Sequence, residues 1–443
     1  MSATPRPDPA PRQPARAAIA AFVGTTIEWY DFFIYGTAAA LVFGPLFFAE
    51  ATPFVATLAA FGTFAVGFFA RPLGGLIFGH VGDRLGRKKA LVVTLVMMGL
   101  ATTGIGLLPT YASIGIWAPI ALVGLRILQG IAVGGEWGGA VLLAAEHAPK
   151  GRATFFASFA QLGSPAGQIL SLLAFRLAGL MDSERFLAWG WRLPFLVSVV
   201  LLLVGLFIRL GVGESPDFEA DRSRAAPAPA PIREVLATSL TPLALAAGAN
   251  TFAIGSVYLF NTFMITYTTQ YLGLPRATIL DALLVAACVQ FVMTPVGARI
   301  AELIRNERLF LQGTLIWAML APYPLFLLVD MGSVPALTLG LALNVLGSAT
   351  FYAVIAGYVA GAFPTRVRYT AISVAYQVCG ALAGGLTPIV GTLLAERFQG
   401  HWWPIAAFGT TLAAISFVCV TALGRYRGRT AGTAPSDLGA AMP

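Results

Sequence analysis

GHVGDRLGRKKA, from Gly79 to Ala90, is the most densely charged stretch of this chain. Between positions 83 and 89 it carries Asp83, Arg84, Arg87, Lys88 and Lys89. The residues on either side of it form long apolar runs with almost no charge. A short basic turn between two apolar runs is typical of a loop that joins two membrane-spanning helices on the positively charged side of a bilayer.

The composition supports a membrane protein with little soluble mass. Of 443 residues, 57% are hydrophobic and 11% are charged, against roughly 25% charged residues in soluble domains. The mean hydropathy is +0.78. A span needs about 20 apolar residues, and hydropathy places about 12 of them. They are expected at 18–44, 53–80, 88–109, 114–145, 153–179, 190–211, 241–271, 278–301, 309–330, 334–362, 369–395 and 402–424.

The positive charge follows the membrane topology and does not indicate nucleic-acid binding. The formal net charge is +8, and most lysines and arginines fall in the two termini and the even-numbered loops. The opposite side carries Arg176, Arg185, Arg192, Arg276 and Arg397. This asymmetry predicts that both termini are cytoplasmic. No cleavable signal peptide is expected, because residues 1–17 are rich in proline and arginine and are predicted to be disordered.

The chain divides near its midpoint. Polar, then Pro-Ala-rich sequence predicts a cytoplasmic linker at 213–239, between a six-helix bundle at 18–212 and another at 240–426, with a cytoplasmic tail at 427–443. A weak internal repeat relates the two halves, because KGRATFFASFAQ, ending at Gln161, parallels RVRYTAISVAYQ, ending at Gln377. Glycines four residues apart predict close helix contacts, for example Gly130/Gly134, Gly163/Gly167 and Gly357/Gly361.

Two carboxylates in TTIEWYDFFIYG are the candidates for carrying a proton. Glu28 and Asp31 are three residues apart, which predicts that they share a face of the first helix, with Glu28 near the middle of the membrane. Two close carboxylates in a low-dielectric environment do not both ionise readily. One of them is therefore suited to carry a proton, although a static ion pair with a neighbouring helix remains the alternative.

Three more ionisable groups fall inside predicted spans, where a charge costs at least ~2.5 kcal/mol. Arg126 lies near the middle of the fourth span, and its forked donors suit a carboxylate. It could hold Glu28 or Asp31 at rest and a substrate carboxylate on loading, or it could form a permanent salt bridge. Arg71 precedes Pro72, which predicts a kink. Arg71 and Glu136 could form a pair, and Glu136 is a third candidate for proton coupling.

The second half offers neutral polar groups instead of buried charges. Aromatic and amide side chains of this kind fix the shape of a small ligand, although each one alone is more often a packing residue. The candidates for substrate binding are therefore Arg71, Arg126, Gln161, Tyr258, Asn261, Tyr376 and Gln377.

Several segments in order resemble one family. TTIEWYDFFIYG, RILQGIAVGGEWGGA, EHAPKGRATFFAS, ESPDFE and FPTRVRYTAIS look like the metabolite–proton symporter branch of the major facilitator superfamily, closest to shikimate-transporter-like members. The resemblance implies an all-α membrane protein with a major facilitator fold, in which 12 transmembrane helices form two six-helix bundles. It also implies alternating access driven by the proton gradient, and cargoes such as organic acids, proline or betaine.

The same resemblance implies a cytoplasmic gate at the opening stretch. Asp83 would meet the end of helix 11, and Arg84 or Arg87 would meet Glu146, with Arg152 completing the set. The sequence departs from the family at the second copy of this loop. GARIAELIRNER, from Gly297 to Arg308, lacks the Asp-Arg-x-Gly-Arg core, which puts a symmetric second latch in doubt.

The leading hypothesis is a proton-coupled symporter that imports a small organic anion across the bacterial cytoplasmic membrane. Its expected partners are that acid, protons and the bilayer, with no nucleic acid, no cofactor, no metal and no required oligomer. The alternatives are uptake of a zwitterionic osmolyte or amino acid, export of drug-like compounds, and a receptor that does not transport. An enzyme is not expected, because no nucleophile–histidine pair or metal-ligand cluster occurs.

Overall fold

The computed structural model describes residues 14–85, 87–134, 153–211, 239–304 and 306–431. Twelve long helices, numbered α1 to α12, organise these residues. They are α1, Pro14–Ala38; α2, Pro53–Leu85; α3, Arg87–Leu107; α4, Trp117–Gly134; α5, Ala153–Ala178; α6, Leu193–Leu210; α7, Leu240–Tyr271; α8, Arg276–Ile304; α9, Glu307–Asp330; α10, Val334–Ala360; α11, Thr365–Cys379 with its continuation Leu386–Arg397; and α12, Trp403–Ala431.

Within the described residues, eleven helical segments are long and apolar enough to cross a membrane. α5 adds a helix of 26 residues where the fifth span is expected. Large apolar side chains such as Phe207 and Leu180 face outward, whereas Asp31, Arg126 and other polar groups are buried. This distribution suits a bundle whose solvent is lipid.

Short local signals end and connect the helices. Asn306 and Ser333 cap α9 and α10 by accepting from the N–H groups of Leu309 and Ala336. Gly273 and Gly332 adopt positive φ values of 67° and 65° at the turns before α8 and α10, a conformation that favours glycine. α2 continues as one helix through Pro72. Such prolines are tolerated in membrane helices.

Within the described ranges, π turns interrupt three of the spans. They follow α1 at Ala39–Phe43, lie within α7 at Tyr258–Phe263 and Tyr267–Tyr271, and join the two parts of α11 at Gly380–Gly385. A π turn widens the helix locally and is frequent at functional sites. The two in α7 and the one in α11 fall where the halves of the chain meet.

The helix contacts repeat between the halves. In the first half α1 packs on α5, α2 on α4 and α3 on α6, and in the second half α7 packs on α11, α8 on α10 and α9 on α12. The halves meet mainly through α5 against α8 and α2 against α11. Because Gln161 lies on α5 and Gln377 on α11, the two copies of the sequence repeat occupy equivalent places.

Glycines set the close approach of α2 to α4. A Cβ on Gly130 would lie 2.9 Å from the Ala70 Cβ, and one on Gly134 would lie 2.9 Å from the Gly75 nitrogen. Gly163 is equally close to α1, with 2.7 Å to the Thr25 Cβ. These contacts confirm the prediction from four-residue spacing. The prediction is wrong at Gly357, because a Cβ added there would have no described atom within 4 Å.

The predicted segment boundaries stay predictions. α1 already begins at Pro14, within the segment expected to be disordered, and residues 1–13 lie outside the described residues. The expected linker at 213–239 lies outside them except for Ser239, and the expected tail is described only to Ala431.

Candidate functional site

Two arginines share one aromatic ring where the halves meet. Arg71 on α2 is 3% exposed and Arg126 on α4 is fully buried. The Cζ atoms of Arg71 and Arg126 lie 4.0 and 4.4 Å from the centre of the Phe32 ring on α1. The two Cζ atoms are therefore no farther apart than the sum of these two distances. Arg71 also lies 4.3 Å from the Phe68 ring. Cation–π contacts of this kind partly compensate the lost hydration of each guanidinium.

Arg126 has the more aromatic surroundings. Its Cζ lies 4.1 Å from the Tyr35 ring and 5.0 Å from the Phe64 ring, on α1 and α2. A Cβ on Gly67 would lie 2.9 Å from that Cζ, so a glycine at this position of α2 is what leaves room for the guanidinium. Among the described residues, the Arg126 guanidinium is therefore held by aromatic rings and not by a carboxylate.

Several buried polar atoms around these arginines have no hydrogen-bond partner among the described residues. They are Arg71 Nε, Arg126 Nε, Arg126 Nη2, the Tyr258 hydroxyl and Gln377 Oε1. A buried donor or acceptor without a partner costs about 1–3 kcal/mol. Groups left in this state at the meeting of two halves are suited to a ligand that supplies the missing partners.

A hydrogen-bond chain leads from Arg126 to Asp31. Arg126 Nη1 donates to Gln129 Oε1 at 2.5 Å, and Gln129 Nε2 donates to the Thr102 hydroxyl at 2.8 Å. Thr102 donates to Asp31 Oδ2 at 2.7 Å, and Ser198 donates to Asp31 Oδ1 at 2.8 Å. Two hydroxyl donors suit an ionised carboxylate, which only accepts. The chain thus connects α4, α3, α1 and α6.

The two carboxylates of α1 meet different neighbours. Asp31 is fully buried and faces α3 and α6, within the first half. Glu28 is 4% exposed and lies close enough to Tyr258, Tyr352 and Tyr376 to act on them electrostatically. The three-residue spacing keeps both inside the bundle, as expected, but directs Glu28 towards the second half.

The second half contributes neutral groups, as expected. Within the described residues, the buried charged side chains Glu28, Asp31, Arg71, Arg126 and Arg209 all belong to the first half. The Tyr258 ring lies 5.3 and 5.1 Å from the Phe64 and Phe68 rings, across the junction. Gln377 donates to the Gly134 carbonyl at 3.5 Å, also across it.

Other expected site residues are not brought to this cluster. Gln161 and Asn261 are half-buried and take part in none of the contacts above. Asn261 lies in the π turn after Tyr258, where the wider turn changes the face that a three-residue spacing selects. Glu136, Glu146 and Arg152 lie outside the described residues, and for Asp83, Arg84 and Arg87 only the helical backbone is described.

Sequence reasoning missed the residues that connect the charges. Gln129 lies three residues after Arg126 on one helix, and that spacing was an available signal. Thr102, Ser198 and the rings of Phe32, Tyr35, Phe64 and Phe68 had no such signal. Each is an ordinary residue in an apolar span until its helix is placed against the others.

The halves also touch at the ends of α5 and α8. Arg176 Nε lies 2.7 Å from Asp281 Oδ1, and Arg276 lies over the Phe186 ring and donates to the Met181 carbonyl. By the order of the helices, this end of the bundle is opposite to the two termini. Direct contacts join the two halves at this end.

The chain has relatives of known kind along most of its length. A family model described as sugar (and other) transporter matches residues 17–238. The shikimate transporter of Escherichia coli (strain K12) is 40% identical, covering 92% of this chain and 93% of the relative. The inner membrane metabolite transport protein YhjE of the same organism is 37% identical, with the same coverage.

Other similarities bear on cargo and on fold. The proline/betaine transporter of Escherichia coli (strain K12) is 33% identical, covering 88% of this chain and 79% of the relative. The crystal structure of a D-xylose-proton symporter aligns with a TM-score of 0.72 at 16% identity, covering 93% of this chain and 97% of that one. At that identity the structural likeness establishes the fold alone.

Proposed function

Because this chain belongs to the sugar (and other) transporter family of the major facilitator superfamily, a family of multi-span membrane transporters and not of enzymes, we propose that it is a proton-coupled symporter. Its cargo is a small organic anion, which it carries inward across the bacterial cytoplasmic membrane with both termini in the cytoplasm. Shikimate, named for a relative at 40% identity, is the first cargo to test.

The observation that carries the proposal is the state of Arg126. This guanidinium is fully buried at mid-helix, rests on three aromatic rings, and has two nitrogens, Nε and Nη2, without a partner among the described residues. A carboxylate would satisfy both N–H groups with short charge-assisted hydrogen bonds. Arg71, which shares the contact with Phe32, adds a second positive charge, so the site favours an anion.

Asp31 is the best-placed proton carrier. It is fully buried and connected by hydrogen bonds to the arginine that would bind the cargo. While Asp31 is ionised, its negative charge compensates the arginines. Once Asp31 is protonated, an incoming carboxylate takes over that compensation, so proton and anion load together. Glu28 remains a second candidate because it faces the second-half tyrosines, and Glu136 remains a third.

Alternating access would use the junction between the halves. Tyr258, Tyr376 and Gln377 would close on the cargo from the second half, and the contacts at the ends of α5 and α8 would open to admit it. At the end that carries the termini, Asp83, Arg84, Arg87, Glu146 and Arg152 would form the gate implied by the family's loop. The protein would move the cargo by closing one of these ends while the other opens.

Uptake into proteoliposomes tests this function. We expect uptake of labelled shikimate to rise with an inward proton gradient and to collapse with a protonophore. Arg126→Ala should abolish it, because the variant loses the two guanidinium nitrogens that would bind the cargo carboxylate. Asp31→Asn should abolish gradient-driven accumulation but retain exchange of preloaded shikimate. Uptake that ignores the gradient would contradict proton coupling.

A zwitterionic cargo is the second candidate, favoured by relatives named proline/betaine transporters at 33% identity. A quaternary ammonium binds to aromatic faces, but here Arg71 and Arg126 already cover Phe32, Phe68, Tyr35 and Phe64. The anion therefore suits the site better. Competition by glycine betaine that exceeds competition by shikimate would reverse this order.

A further inference from the structure

We propose that Gln129 and Thr102 are positioning residues that transmit the charge state of Asp31 to Arg126, so that protonation of the carboxylate strengthens anion binding at the arginine. This inference rests on the proposed function, because it assigns the coupling between proton and cargo to two neutral side chains. Neither side chain needs to touch the cargo or carry the proton itself.

The geometry fixes the direction of the hydrogen bonds between Arg126, Gln129 and Thr102. Arg126, Gln129, Thr102 and Asp31 are all fully buried, and Ser198 is 1% exposed. The Gln129 amide can serve both neighbours only in one orientation, with its oxygen towards Arg126 and its nitrogen towards Thr102. Because the amide nitrogen does not accept, the direction of donation is fixed from the arginine to the carboxylate.

Thr102 is the point at which the chain can switch. Its hydroxyl has one hydrogen but two acceptors within reach, Asp31 Oδ2 at 2.7 Å and the Met98 carbonyl one turn earlier at 3.0 Å. When Asp31 is ionised, the hydrogen points to the carboxylate. When Asp31 is protonated on Oδ2, the acid becomes a donor, and the Thr102 hydrogen turns to Met98.

The protonation state of Asp31 changes the electrostatic environment of the Arg126 guanidinium. With Asp31 ionised, the aligned donors of Thr102 and Gln129 end on a negative charge, which polarises the chain and strengthens the Arg126–Gln129 bond. With Asp31 neutral, that charge is gone, and the anion becomes the only compensation for the guanidinium. Coupling is reciprocal, so a bound anion also favours protonation of Asp31.

Other ionisable groups share this region and need their own controls. Among the described residues, α3 and α6 present the neutral hydroxyls of Thr102 and Ser198 to Asp31. The ionisable neighbours of Asp31 are Glu28 and Tyr30 on its own helix α1, Arg71 on α2 and Arg126 on α4. The Tyr30 hydroxyl donates to the Pro194 carbonyl. Glu28→Gln and Asp31→Asn therefore separate the two carboxylates.

The test is the pH dependence of shikimate affinity in purified protein, measured from about pH 5 to about pH 8. Coupling of one proton to one anion makes wild-type binding up to about tenfold tighter for each unit of falling pH. We expect Thr102→Val to flatten this dependence to less than about twofold per unit, with counterflow exchange retained. Thr102→Ser should restore it, because the hydroxyl returns.

Thr103→Val is the matched control, because Thr103 is half-buried on the same helix and donates to the Gly99 carbonyl; it should leave the pH dependence unchanged. Gln129→Met keeps the volume without the amide and should flatten the dependence, which provides a second variant if Thr102→Val does not fold. In an Asp31→Asn background, Thr102→Val should have no further effect on the slope.

Each result decides between the two proposals. A wild-type slope in both Thr102→Val and Gln129→Met overturns the relay while the symporter stands. A slope that survives Asp31→Asn but not Thr102→Val also overturns it, because Thr102 would then act through another group. Wild-type shikimate binding or uptake that ignores pH and gradient overturns the proposed function itself, and the relay loses its premise.

Discussion

The Phe32 ring contacts two cations, Arg71 and Arg126, that repel each other. In a low-dielectric interior, two guanidinium groups around one ring destabilise each other unless an anion or a ring face compensates them. Their shared ring partly compensates both charges. An incoming carboxylate is therefore bound more strongly by the two arginines together than by either one alone. After the carboxylate is released, the two arginines can bind another.

The geometry of Arg126 should matter more than its charge. Arg126→Lys keeps the positive charge but loses the flat face on Tyr35 and Phe32 and the two unpartnered N–H groups. We expect shikimate affinity to fall by roughly 10- to 100-fold, the equivalent of a lost charge-assisted hydrogen bond. Titration of purified protein measures it. A wild-type affinity in the lysine variant would mean that charge alone selects the cargo.

Tyr258 should have opposite effects on stability and on affinity. Its buried hydroxyl has no partner among the described residues, so Tyr258→Phe removes an unsatisfied group and should leave the thermal midpoint unchanged or raise it. The same change should weaken shikimate binding by about 2- to 10-fold if that hydroxyl meets the cargo.

Tyr30→Phe is the matched control for that variant, because the Tyr30 hydroxyl donates to the Pro194 carbonyl at 2.6 Å. It should lower the thermal midpoint, since it leaves a buried acceptor without its donor. An unchanged affinity in Tyr258→Phe would place its hydroxyl outside the binding site.

At the scale of the helices, the α2–α4 contact positions both arginines. Glycines on both helices let the backbones approach until a single added methyl group would collide. Arg71 and Arg126 project from these same two helices. A small increase in helix separation would therefore change the distance of each guanidinium from Phe32, which makes packing and binding inseparable here.

Gly130→Ala tests that contact. Its new methyl group would lie 2.9 Å from the Ala70 Cβ and closer still to the Gly67 carbonyl, so we expect a loss of about 1–3 kcal/mol in stability and a lower thermal midpoint. Gly124→Ala on the same helix has no described atom within 4 Å and should be neutral or stabilising by up to about 1 kcal/mol. Equal midpoints for both variants would contradict the role of the contact.

Hydropathy predicted the helices well because each span is specified by its own residues. The seventh was expected at 241–271 and lies at Leu240–Tyr271. The neighbours of Asp31 could not be predicted in the same way, because Thr102 and Ser198 are distant in sequence and become partners only when three helices pack. The π turn at Tyr258 had no recognisable signal either, and it altered the face on which Asn261 lies.

At the scale of the whole molecule, the repeated contact pattern explains how one chain can close at either end. If α1–α6 and α7–α12 are equivalent bundles, α5 against α8 and α2 against α11 are the same contact seen from opposite halves. Rocking of one bundle on the other would then loosen one end while it tightens the other. The polar contacts at the ends of α5 and α8 are the part of this exchange that can be altered without touching the site.

The pair of Arg176 and Asp281 should bias that exchange. The two side chains are 32% and 49% exposed, so the pair stabilises closure by about 0.2–1 kcal/mol. We therefore expect Asp281→Asn to raise the ratio of open to closed molecules at this end by up to about fivefold. Spin labels on the exposed positions Leu180 and Val334, one on each half, report the distance between the halves at this end.

Glu302→Gln is the control, since Glu302 pairs with Arg299 within a single helix. This variant should leave the distribution of label distances unchanged. An unchanged distance distribution in Asp281→Asn would mean that the apolar contacts of α5 and α8 hold this end closed without the ion pair.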